Sequence, residues 1–302
     1  DLYFRTTAAY GTNDGAYAPS DSGLSRSTLL NDGDSTSFTF DNNLTGNWVW
    51  GDFDSLVQVG FDYQHHKNDW KGNGLGVAIG NVDPFNPTHT GMPSDSELSV
   101  WDNSIKKEQL GLYSQLQTVY DETFLIKAGL RYDLVNIDAT NENPDSINSS
   151  DSLDEGELSW NAGVMYFAPM GLSPYVNYSE AFYTNASMAQ VGGWEPGTYG
   201  YYIYEPINTK QLEIGLKFTP DWLDGFINVA WFKLKQENAL AQSVIGSVLA
   251  QSQVSEKEAQ GVEVQMKAAL TDNLVVNASY TYQDVTKPKY QDIFGDWHDE
   301  AE

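Results

Sequence analysis

Side chains that could do chemistry are unevenly distributed along this 302-residue chain. The densest set lies in 183–205, where Tyr183, Trp194, Tyr199, Tyr201, Tyr202 and Tyr204 are interleaved with Gly192, Gly193, Gly197 and Gly200. Rigid rings with polar tips on a flexible backbone offer contact area and hydrogen bonds, which is the chemistry of binding rather than of bond-making. The same rings could instead pack the loop against its neighbours or sit at a membrane interface. Trp70, Phe85 and Trp101, in or beside 70–105, extend the set. Reaction centres find less support. His65, His66, His89 and His298 lack zinc-site spacing, and adjacent histidines on a strand point to opposite faces. The chain has no cysteine, hence no thiolate ligand or disulfide. The acids from Asp151 to Glu157 lack the EF-hand register, and no G-x-S-x-G turn is present. No catalytic residue, resident metal or cofactor is expected.

Strands must position these loops. Apolar and polar residues alternate with period two in about eleven segments: 1–10, 36–49, 55–69, 106–119, 123–136, 157–168, 173–182, 208–219, 225–236, 257–270 and 273–285. In 210–218, Leu212, Ile214, Leu216 and Phe218 alternate with Gln211, Glu213, Gly215 and Lys217. The connections alternate too. Short ones, such as Asp121-Glu122 and Pro169-Met170-Gly171, are followed by long polar ones at 11–34, 70–105, 137–156, 183–207 and 237–256. Short turns at one end and long loops at the other are the build of an outer-membrane β-barrel. Several segments reach the ~9–11 residues that a tilted strand needs to cross a bilayer. Aromatics near the segment ends (Trp48, Trp50, Tyr63, Tyr120, Tyr132, Trp160, Tyr166, Phe218, Trp222 and Tyr282) fit interfacial girdles.

Composition narrows the classes further. With 42 acidic against 16 basic residues, a net charge of −26, the chain is ill-suited to nucleic acid. No run approaches the ~18 apolar residues of a membrane helix. The expectation is therefore an all-β transmembrane antiparallel barrel, with residues 1–302 forming one partial domain and both barrel ends missing. Charged residues such as Lys127, Arg131, Glu213, Lys217, Glu263 and Lys267 would then line the lumen.

Six segments carry a family resemblance. Gln109-Leu110-Gly111-Leu112-Tyr113-Ser114-Gln115-Leu116-Gln117 with Ala128-Gly129-Leu130-Arg131-Tyr132-Asp133 resembles paired strands of TonB-dependent siderophore receptors, the ferrichrome-type branch above all. Pro174-Tyr175-Val176-Asn177-Tyr178-Ser179-Glu180-Ala181-Phe182, Lys210-Gln211-Leu212-Glu213-Ile214-Gly215-Leu216-Lys217, Gln260-Gly261-Val262-Glu263-Val264-Gln265 and Ala278-Ser279-Tyr280-Thr281-Tyr282 follow in the family's order. The resemblance implies a 22-stranded barrel with an N-terminal plug and TonB box that this sequence does not contain. It further implies a Gram-negative outer-membrane receptor that captures ferric siderophores at its outer mouth and is energised by the TonB complex. Lipid and lipopolysaccharide would surround it. The acidic loops favour a neutral or cationic hydroxamate complex over an anionic catecholate, or else serve only to attract divalent cations at the lipopolysaccharide surface. The rivals are a passive porin, a haem receptor (Phe85-Asn86-Pro87-Thr88-His89 resembles a haem-receptor loop) and a secreted carbohydrate-binding β-protein.

Overall fold

The computed structural model describes residues 24–28, 31–72, 77–82, 100–192, 197, 199–245, 248–271, 273–286, 290–291 and 297–298. In chain order the strands are β1 (Leu24–Thr28), β2 (Asn31–Trp50), β3 (Phe53–Gly72), β4 (Val77–Val82), β5 (Trp101–Tyr120), β6 (Phe124–Asn141), β7 (Ser150–Tyr166) and β8 (Leu172–Tyr183). They continue with β9 (Met188–Gly192), β10 (Tyr199–Ile203), β11 (Ile207–Phe218), β12 (Asp224–Ile245), β13 (Val248–Thr271), β14 (Leu274–Thr286), β15 (Tyr290–Gln291) and β16 (Trp297–His298). Ten of them form one antiparallel sheet in the order β2-β3-β5-β6-β7-β8-β11-β12-β13-β14. Ten of the expected strands fall on these ten; the remaining one, 1–10, lies outside the described residues.

On strands inside the sheet, such as β6, the usual burial rule is reversed between the two faces. On β6, Leu130 is 56% exposed while Asp133 is 0% exposed. Phe124, Ile126, Leu130, Tyr132 and Leu134 share the outer face; Lys127, Gly129, Arg131 and Asp133 share the inner one. The register continues the exposed apolar face across Phe53, Val57, Val59 and Phe61 on β3 and Leu110, Leu112 and Leu116 on β5. An apolar surface of this size is stable only against another apolar medium. The band runs from Phe53 to Tyr63, from Tyr120 to Leu110 and from Phe124 to Leu134, 11 residues in each case, which matches a bilayer crossing. Its lower edge is aromatic: Phe53 and Tyr120 lie with ring centroids 4.7 Å apart, and Phe124 and Tyr166 5.1 Å apart.

Beyond the band the alternation continues with inverted sense. On β6, Asn136, Asp138 and Thr140 face out, while Val135, Ile137 and Ala139 are buried on the inner side, Ile137 at 0% exposure. The conventional core of this chain thus lies above the membrane level. Here the structure corrects the expected loops. Most of 137–156 is strand, and 237–256 is largely the upper part of the β12–β13 hairpin, paired from Asp224↔Ala269 to Ile245↔Val248. The hydrogen-bond ladder runs on where the alternation changes phase, as on β6, or is lost, as along 237–256 of β12 and β13, so local pattern no longer reveals the strand.

The connections after β2, β5, β7 and β11 are short and lie at the aromatic end. At Pro169–Gly171, Gly171 has φ +78°, and a β-carbon there would fall on the Thr219 carbonyl, while Thr219 N donates to Gly171 O at 2.8 Å. Gly171→Ala is expected to lower stability by about 1–2 kcal/mol from the left-handed backbone alone, with the clash adding to it. Gly46→Ala, where nothing lies within 4 Å, is the neutral control. Urea midpoints of the two refolded variants check the contrast.

Candidate functional site

The inner wall is built by glycines that let long polar side chains lie flat. Tyr113 covers Gly60, Arg131 covers Gly111, Asn161 covers Gly129, Asn177 covers Gly163 and Tyr175 covers Gly215. A β-carbon at any of these glycines would collide with the overlying side chain. Arg131 is held in this position by Asp62, to which Nη2 donates at 3.0 Å, and by Asp133, to which Nε and Nη2 donate at 2.7 and 2.6 Å. Gln109 also donates to Asp133 at 2.7 Å, Tyr113 donates to Asp41 at 3.0 Å, and the guanidinium sits 5.9 Å from the Tyr113 ring centre. Asp41, Asp62, Gly111, Asp133 and Glu157 are consecutive partners across five strands. This level of the wall therefore carries four carboxylates against one guanidinium. From this level toward the short turns runs a groove of 430 Å³ bounded by Asp41, Asp62, Tyr113, Arg131, Asn161 and Ser179. Lys127, Glu213, Lys217, Glu263 and Lys267 also lie on the inner face, as the alternation predicts. Tyr175 donates to Glu213 at 2.6 Å.

At the open end the expected binding residues divide into two groups. Trp70 and Trp101 share the inner face of β3 and β5, where Trp70 pairs with Asn103 and Trp101 with Gly72. Tyr199, Tyr201 and Tyr202 lie on the β9–β10 hairpin, which is tied to the top of β6–β7. Asn148 brackets Tyr201, accepting from its N at 2.9 Å and donating to its O at 2.7 Å; Ile203 N donates to Asp151 at 2.7 Å; Ile147 N donates to Tyr199 O at 2.8 Å. The Tyr199 and Tyr201 rings meet edge to face with centroids 5.9 Å apart. Tyr204 is buried just past β10, Tyr202 is exposed, and Tyr183 ends β8 in an exposed position. Burial raises the pKa of Tyr201 and Tyr204 above the ordinary phenol value, so both stay protonated donors at neutral pH. Phe85 and Trp194 lie outside the described residues. His65 and His66 do turn to opposite faces, toward Glu108 and Ser37 respectively. Among the described residues no group of three His, Cys, Asp or Glu side chains could hold a metal ion.

Sequence reasoning missed three asparagines that connect the two groups. Asn103 pairs with Trp70 on one side and Asn141 on the other, and Asn143, two residues beyond Asn141, donates to the Tyr199 hydroxyl at 3.2 Å. No motif marks them; only strand register shows that they adjoin.

The inside-out sheet over a polar wall already describes a membrane barrel, and residues 1–299 match the family described as "TonB dependent receptor-like, beta-barrel". The chain belongs to that family. It is 29% identical over 285 residues to the ferrichrome outer membrane transporter/phage receptor of Escherichia coli K12, covering 91% of this chain and 36% of that protein. It is 30% identical over 255 residues to the ferrioxamine B receptor of Salmonella typhimurium, covering 84% of this chain and 34% of that one. The chain thus spans about a third of the length of these curated relatives. The siderophore receptor PiuA of Acinetobacter baumannii shares the fold at a TM-score of 0.63 and 20% identity, covering 91% of this chain and 42% of that one. TonB-dependent receptor barrels are outer-membrane proteins of Gram-negative bacteria, a family of receptors and transporters.

Proposed function

We propose that this chain is one barrel segment, 1–302, of an outer-membrane receptor that binds ferric siderophores, of hydroxamate type, and imports them with energy delivered through TonB. The carrying observation is the gathering of Trp70, Trp101, Tyr199, Tyr201, Tyr202 and Tyr204 around the open end of a lumen too acidic to favour an anionic chelate. The names of the ferrichrome and ferrioxamine relatives support the same ligand class. TonB would act through the part of the receptor outside this chain. The test is uptake of iron-loaded ferrichrome and ferrioxamine B by cells carrying the full-length gene, with and without TonB. Uptake that vanishes without TonB supports the reading; uptake that persists makes the protein a passive porin.

Lipopolysaccharide contact is part of the same proposal. On the lipid side, just above the apolar band, Lys210, Lys233 and Lys235 stand in one patch with Glu237, Glu256 and Glu258, as do Lys67 and Lys106 with Asp69 and Glu108 in another. Such exposed pairs contribute little to stability and leave ammonium groups available to phosphate. The triple variant Lys210→Gln, Lys233→Gln, Lys235→Gln is expected to leave the unfolding free energy in urea within about 1 kcal/mol of wild type while reducing the lipopolysaccharide phosphate that co-purifies. Unchanged phosphate would remove this part of the proposal.

A further inference from the structure

Several polar donors on the membrane-level wall are paired: Gln109 with Asp133, Arg131 with Asp62 and Asp133, Asn228 with Tyr175. Near the mouth two are not. Asn103 is 5% exposed and Asn141 2% exposed, and the Nδ2 of each has no hydrogen-bond partner. The two are direct register partners, so both amides belong to one row with Trp70, which pairs with Asn103 from the other side. The row of three spans roughly 10 Å, two interstrand spacings. The orientation of Asn141 is fixed because its Oδ1 accepts from Asn143 N at 3.0 Å, which leaves the NH2 group as the free end. A buried donor without an acceptor is destabilising, and native proteins keep few of them. Two side by side, next to an indole, call for an acceptor from outside the chain.

We propose that Asn103 and Asn141, flanked by Trp70, form a subsite that donates hydrogen bonds to the carbonyl or hydroxamate oxygens of the bound ferric complex. The assignment rests on the siderophore-receptor reading above. Three features choose this occupant. The amides are pure donors at their free ends, which selects oxygen acceptors. The inner face that carries the row also carries Asp41, Asp62, Asp133 and Glu157, which disfavours an anionic ligand. The row lies beyond the membrane level: Asn103 is seven residues further along β5 than Leu110 at the band edge, roughly 23 Å of strand. It is also continuous, through Asn143 and Tyr199, with the aromatic hairpin. A third unpaired group, Thr184 Oγ1, lies past the end of β8 and is not part of the row.

The test uses the full-length receptor in detergent, titrated with ferrichrome and with ferrioxamine B by tryptophan quenching, alongside thermal unfolding. The variants are Asn103→Leu, Asn141→Leu and Asn141→Asp; the last keeps the oxygen that accepts from Asn143 N and puts a charged acceptor where the donor was. The expected result is a Kd raised roughly five- to tenfold by each variant, with the Leu variants no less stable than wild type. An unchanged Kd with raised Tm would show that the amides are unpaired in the whole receptor, and an unchanged Kd with lowered Tm that another segment of the receptor accepts from them. Either outcome overturns the subsite while leaving siderophore binding by wild type intact. A wild-type receptor that binds neither complex overturns the siderophore reading itself.

Discussion

Replacing Arg131 with Met is expected to destabilise the barrel by about 3–5 kcal/mol, the range for removing one partner from a buried ion pair. The reason is geometric. Arg131 reaches from β6 across Gly111 of β5 to Asp62 of β3, and so ties three strands together. Asp133 is fully buried and Asp62 nearly so; without the guanidinium, two desolvated carboxylates would face each other and Asp41. Lysine cannot substitute, because one ammonium lacks the planar fork that serves both acids. Adding Asp62→Asn and Asp133→Asn to Arg131→Met removes the stranded charge and should recover most of the loss. Urea unfolding of the refolded full-length receptor reads both effects. A single variant as stable as wild type would mean that the cluster is solvated in the whole receptor.

Leu130→Lys should cost about 2–4 kcal/mol, although Leu130 is among the more exposed residues of the sheet. Leu130 lies near the middle of the 11-residue band, where no water can solvate an ammonium. The same substitution above the band, Asn136→Lys, should cost about 0–1 kcal/mol. Folding free energies in lipid vesicles give the comparison. A soluble β-protein would show the reverse, gaining solubility and losing no stability from Leu130→Lys.

How much of this was legible in advance differs from element to element. In 124–134 and 210–218 every second residue is apolar, so strand identity, facing and the lumenal place of Arg131 and Glu213 could all be read from local pattern. Side-chain period two is a property of the chain itself, and lipid on one side with polar lumen on the other imposes it strictly. Loop aromatics were legible for a different reason, since tyrosine-glycine clusters are uncommon outside contact surfaces. Beyond Leu134 the phase changes: Asn136 to Thr140 pair as regularly as Ile126 to Leu130, but the apolar residues are now Val135, Ile137 and Ala139 on the inner side, and the adjacent apolar pair Leu134-Val135 breaks the phase by which the strand is read.

Sequence by itself determined the fold class, ten of the strands and their two faces. Only the tertiary structure decided that Arg131 is shared by acids from two strands, that Tyr201 is bracketed by Asn148 on a distant segment, and that Asn103 and Asn141 stand together with free donors. These are facts of register between residues 38 to 69 positions apart, and register is fixed by turn geometry and by which face is apolar, not by the identity of the residues that happen to be brought opposite each other.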